Sequence, residues 1–311
     1  MSIFIISLFA VAVLLLTAVP GYLFIKTKMI SEDCISGFSK VLVFVCSPCL
    51  SIYGFSSLEY SPELLLDIGI FALLCVVIFA IMLGGMFLIL FKKSHEPIFR
   101  VITIAAAFSN VTFFGIPILE AITGDAAVRL IVYANICSLV LNVVAWTAGL
   151  AIILRNPKYM SVKKAFLNPS MIGMLIALTI FIFSIPLPDQ LLSMITIAGR
   201  MASPLSMILL GMRLATVNLK QLFCDARLYL AVFVNQIVMP LVALVMVLLL
   251  PLSEDVKIAF LITSSCPIAA SVLNYSELAG VGQKQAASLV LLGTILSVVT
   301  LPLMMLLLPL I

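Results

Sequence analysis

Runs of about 20 mostly apolar residues recur along this chain. They are placed at 3–24, 39–56, 65–91, 101–119, 129–154, 169–185, 191–212, 226–250, 257–278 and 284–310. A helix of that length crosses the hydrocarbon core of a bilayer, and lipid forces the backbone to satisfy its hydrogen bonds internally. The expected fold is therefore an all-α integral membrane protein with ten transmembrane helices. Only 10% of the 311 residues are charged and 64% are hydrophobic, whereas a soluble domain carries about a quarter charged residues. No hydrophilic domain is left over. The first run has no charged stretch before it, is too long for a signal core and lacks a small-residue cleavage pattern, so it is expected to stay in the protein.

The net charge of +4 could point to nucleic acid, but its distribution points to the bilayer. Taking the loops alternately, 14 of the 17 Lys and Arg residues fall on one side, among them Lys40, Lys92, Lys93, Arg100, Arg155, Arg213 and Lys220. That side is cytoplasmic by the positive-inside rule. Eight acids, including Asp67, Glu120, Asp125 and Asp255, fall opposite. The expectation is a multi-pass protein of the cell membrane with both termini outside and no nucleic-acid partner.

The fourth run is interrupted. Ser109-Asn110-Val111-Thr112-Phe113-Phe114-Gly115-Ile116-Pro117 places an amide, two hydroxyls, a glycine and a proline at membrane depth. Pro117 has no N–H and its ring meets the carbonyl of Phe113, so the helix is expected to break. Broken backbone in a membrane must be buried in protein or line a cavity. In isolation such a motif could be a packing kink, but the ninth run repeats it. There Pro267 follows Thr263, Ser264 and Ser265 and precedes Asn274.

Sliding the second half back by 158 residues puts Gly124 on Gly282, and Ser47-Pro48 finds a counterpart in Ser203-Pro204. An odd number of spans per half gives the halves opposite orientation. Two inverted five-helix repeats follow, residues 1–154 and 169–311, joined by a cytoplasmic linker at 155–168, with broken helices four and nine crossing at midplane. The helix N-termini at such a crossing favour a small organic anion. Candidate substrate-binding residues are Asn110, Thr112, Gly115, Pro117, Pro267, Asn274 and Asn142. Asn142, like Asn235 and Gln236, is read equally as a buried amide satisfied by backbone. Arg200 either faces a cavity or reaches the outer interface.

What is missing narrows the function. Cys46-Ser47-Pro48-Cys49 has no second cysteine pair, and its context is an apolar helix, so no redox or metal site is expected. No hydrolase, P-loop or dinucleotide motif occurs and no paired acids could hold a divalent ion. Neither catalysis nor a cofactor is expected. No carboxylate sits in the middle of a span, so flux without strict proton or sodium coupling is expected.

These residues resemble a known family. Asn110, Gly115, Ile116 and Pro117 match the fourth-span pattern of the auxin efflux carrier family, which includes plant PIN proteins and bacterial permeases. Ser264-Ser265-Cys266-Pro267 resembles its ninth-span proline, Gly211 its seventh-span glycine, and Lys40 and Pro48 also fit. The resemblance implies a transport domain (spans 3–5 and 8–10) moving against a scaffold (spans 1–2 and 6–7), a homodimer through the scaffold helices, and a substrate carboxylate held at the crossover by Asn110, Gly115, Pro117 and Pro267. Where plant members have a long hydrophilic loop this chain has only residues 155–169. The expected function is a secondary carrier moving small organic anions such as carboxylates by alternating access. The alternative is an ion channel or a non-transporting membrane scaffold.

Overall fold

A computed structural model describes residues 2–56, 58–124, 127–156, 158, 162–217 and 223–311. Asp125, Lys220 and part of the 155–168 linker lie outside the described residues. The elements are α1 (Ile3–Lys26), α2 (Cys34–Ser56), α3 (Pro62–Lys93), α4 (Pro97–Ala105), α5 (Val111–Thr123), α6 (Ala127–Leu154), α7 (Pro169–Ile182), α8 (Asp189–Thr216), α9 (Ala226–Leu249), α10 (Glu254–Ser264), α11 (Ser271–Ala279) and α12 (Gln283–Leu310). Seven of these, α1, α2, α3, α6, α8, α9 and α12, are long and apolar enough to cross a membrane. The remaining apolar runs give shorter pieces. Helix α7 has 14 residues, about 21 Å at helical rise, and the fourth and ninth runs are each split, into α4 and α5 and into α10 and α11.

The helix ends follow from local chemistry. Ser61 caps α3 by accepting from the Leu64 N–H at 3.1 Å ahead of Pro62, and Asn168 caps α7 the same way ahead of Pro169. Proline at the first helical position costs nothing, because its missing N–H would have had no partner. Three prolines inside helices share a signature. Pro48, Pro117 and Pro240 each lie two residues after a π-turn, at Leu42–Cys46, Val111–Gly115 and Val234–Val238. Widening the preceding turn gives the ring room that an α-helix denies it.

This corrects the expected position of the fourth-run break. The chain does not unwind at Pro117; it unwinds upstream, over residues 106–110, and is helical again from Val111. The carbonyl of Phe113, which Pro117 cannot serve, accepts from the Ser203 hydroxyl of α8 at 2.8 Å. A neighbour therefore supplies the hydrogen bond the proline removes, and the turn survives. The ninth run does unwind at its proline, over residues 265–270.

Packing is closest where glycine removes the side chain. A Cβ on Gly21 would lie 1.9 Å from the Ile208 carbonyl oxygen, and one on Gly211 1.8 Å from that of Ala18, so α1 and α8 meet backbone to backbone. A Cβ on Gly173 of α7 would likewise lie 2.4 Å from the Cα of Pro48 of α2. Such close approach is how membrane helices associate when lipid removes the hydrophobic driving force. Elsewhere α3 packs on α6 and α12 on α1. The exterior is apolar, with Leu88, Ile89 and Leu249 among its most exposed side chains, as in a protein surrounded by lipid rather than water.

Candidate functional site

The two unwound segments meet. Ser109 and Ile268 form an antiparallel bridge, with the Asn110 N–H donating to the Pro267 carbonyl at 2.7 Å and the Ala269 N–H to the Phe108 carbonyl at 2.8 Å. These bonds satisfy backbone groups that neither segment could satisfy alone. Asn235 of α9 supports the junction from behind, its amide donating to the Ser109 hydroxyl at 3.2 Å. Gly115 packs beside Cys266, where a Cβ would lie 2.9 Å from the sulfur.

From this junction α5 and α11 start. The N–H groups of Thr112 and Phe113, and those of Ala270 and Ser271, have no backbone acceptor among the described residues. They are the unsatisfied first-turn donors of two helices and carry the positive end of each dipole. All four residues line one cavity of about 400 Å³, which also takes in Ser47, Ser138, Trp146, Ser206 and Arg213.

Four of the expected site residues share that cavity: Asn110, Thr112, Asn142 and Asn274. The side-chain amides of Asn110 and Asn274 have no hydrogen-bond partner among the described residues and are free to receive a ligand. Thr112 is bonded to the Ser138 hydroxyl. Asn142 is half committed, donating to the Ser138 carbonyl at 3.0 Å and accepting from the Tyr275 hydroxyl at 3.3 Å. Gly115, Pro117 and Pro267 do not line the cavity. They shape the backbone behind it. Gln236 is tied to the Gly293 carbonyl and to Thr300, each at 2.6 Å, and Arg200 is exposed, donating to the Tyr53 hydroxyl at 2.8 Å.

Arg213 was counted from sequence as one more cytoplasmic positive charge. In the structure it is the charged residue of the cavity lining, only 23% exposed and 3.5 Å from Glu277 of α11. Buried donors without partners among the described residues surround the same space: Trp146 Nε1, Asn135 Nδ2 and Ser271 Oγ. Trp146 stands edge-on to Tyr275 with ring centroids 5.6 Å apart. A signal for Arg213 was present, since it lies two residues beyond Gly211. A basic residue in the last turn of a span is nonetheless the commonest pattern at a membrane interface.

A guanidinium, free amides and two helix N-termini around one cavity suit an anion. A sequence profile of the family described as membrane transport protein matches residues 6–305. The chain belongs to the auxin efflux carrier family. The match spans nearly the whole chain, so this carrier-family protein is a membrane transporter by membership, in a family of transport proteins rather than enzymes. No curated protein matches the sequence.

In this carrier-family protein Pro267 joins the bridge through its carbonyl, while its ring prevents α10 from running on into α11. We expect Pro267→Ala to slow transport at least several-fold, because a continuous helix there would pull Ala269 away from Phe108. Initial rates of counterflow across proteoliposomes check this, and normal rates would mean that the proline is dispensable to the break.

Proposed function

We propose that the protein is a secondary carrier of small organic anions such as carboxylates, binding them at the crossing of its two broken helices. The observation that carries this is the cavity in which Asn110 and Asn274 sit between two helix N-termini, with Arg213 as the charged group of the lining. Groups of this kind bind a small organic anion through charge-assisted hydrogen bonds, which are the strong ones.

Alternating access is supported by the uneven contact between two groups of helices. On one side α1, α2, α7 and α8 pack through Gly21, Gly173 and Gly211, the arrangement proposed for the scaffold; α3 to α6 and α9 to α12 form the proposed transport domain. At one end these groups touch closely: a Cβ on Gly54 would lie 2.9 Å from the Asn135 amide, and Ser203 bonds Phe113. At the other end the cavity separates them, bridged by Arg213 and Glu277. That end carries the basic loops, so we read the conformation as open to the cytoplasm. The inverted repeat draws support from the bridge, whose two donors, Asn110 and Ala269, and two acceptors, Phe108 and Pro267, are each 159 residues apart in sequence, and from Gly124 and Gly282, which both have positive φ, 56° and 64°.

The test is uptake of labelled mono- and dicarboxylates into proteoliposomes. Saturable uptake stimulated by counter-substrate supports a carrier, whereas linear flux favours a channel and no flux a scaffold. Asn110→Ala is expected to weaken binding by about ten- to a hundredfold, since losing a hydrogen bond to a charged group costs roughly 1.5–3 kcal/mol. Its folding should be unaffected, as the side chain has no hydrogen-bond partner among the described residues. Unchanged affinity together with lost thermal stability would make Asn110 a structural cap instead.

A further inference from the structure

A second cavity, about 300 Å³, lies between the ends of α3 and α6 and the start of α4, away from the helix crossing. Two arginines line it. Arg100 donates from Nη1 to the Ile153 carbonyl at 2.6 Å, while its buried Nε has no acceptor among the described residues. Arg155, exposed, ends α6 in the left-handed region, with φ of 51°. Neither guanidinium belongs to an ion pair among the described residues, and no acid lines the cavity. Two like charges facing one space repel each other until an anion enters it.

The rest of the lining decides which anion. Ser94 and Asn156 add polar groups, and Phe87, Leu90, Phe91 and Ile152 add an apolar wall. That wall reaches the outer surface at Phe91, which is 59% exposed. A free anion would use the arginines only. A lipid would use both, with its phosphate between the guanidiniums and its chains along the apolar face. Basic pockets between membrane helices take anionic head groups in this way. We propose that this cavity binds the phosphate of an anionic phospholipid, as a site separate from the transport cavity and independent of what the protein carries.

The experiment is a titration of the detergent-solubilised full-length protein by native mass spectrometry. The probes are dioleoyl phosphatidylglycerol, the zwitterionic phosphatidylcholine of the same chains, and inorganic phosphate. One saturable phosphatidylglycerol site is expected, preferred over phosphatidylcholine and not displaced by inorganic phosphate. Arg155→Gln, at an exposed position where folding is not at stake, should weaken it by about fivefold, what one basic residue contributes next to an anionic lipid. Lys40→Gln, which removes the same charge from another exposed position, should leave it unchanged. Equal binding of the two lipids, or equal losses in the two variants, would overturn the proposal. Displacement by inorganic phosphate would also overturn it, by assigning the cavity to a free anion.

Discussion

Gly211→Val should not yield a stable folded protein. The Cβ alone would stand 1.8 Å from the Ala18 carbonyl oxygen and 2.9 Å from the Tyr22 nitrogen, and both are backbone atoms of α1 that cannot rotate away. Overpacking a flexible core costs about 1–3 kcal/mol; here a helix must move, so the cost lies at or above the top of that range. At Gly21 the same helices are just as close, a Cβ there lying 1.9 Å from the Ile208 carbonyl oxygen, so little room is left for them to slide and relieve the clash. Size-exclusion profiles and thermal unfolding in detergent would read the effect, with Gly211→Ala intermediate. Gly84→Ala serves as the control. Nothing lies within 4 Å of a Cβ at Gly84, and replacing glycine in a helix interior gains up to about 1 kcal/mol. A Gly211→Val protein as stable as the parent would mean that α1 and α8 do not pack as described.

Arg213→Gln should lower the affinity for an organic anion by about ten- to a hundredfold, the value of a charge-assisted hydrogen bond lost from a partly buried site. Arg213→Lys should recover part of the loss, because it restores the charge but not the two-pronged geometry that fits a carboxylate. Glu277 separates this role from a structural one. Its ion pair with Arg213 is 3.5 Å long and the carboxylate is 51% exposed, so breaking it costs little, of order 0–1 kcal/mol. If Arg213 serves the substrate, Glu277→Gln should leave affinity unchanged or raise it, because the guanidinium loses a competitor. If the pair serves only to hold α8 to α11, both variants should behave alike. Concentration dependence of counterflow in proteoliposomes, alongside thermal unfolding, distinguishes the two outcomes.

The sequence by itself determined where helices form and which runs are interrupted, but not the residues over which the fourth run unwinds. Apolar runs with few charges allow little else in lipid; seven of them give helices long enough to cross it, while the fourth and ninth are each split into two. Pro267 with its hydroxyl neighbours announced one unwound segment, and the polar motif from Ser109 to Pro117 announced the other. Asn110 and Asn274 were legible as candidates because a side-chain amide beside broken backbone is costly in a membrane unless something uses it, and both line the cavity. Tertiary structure decided the rest. Pro117 would have broken its helix had Ser203 not come from α8 to bond the Phe113 carbonyl, and sequence does not reveal which distant hydroxyl will do so. Asn142 was ambiguous between ligand and backbone, and its bonds to Ser138 and Tyr275 follow from how α6 and α11 are turned toward each other. Arg213 could equally have faced lipid head groups or the interior. A residue in the last turn of a span faces whichever way its helix is rotated, and here that rotation is fixed by the glycine contacts between α1 and α8.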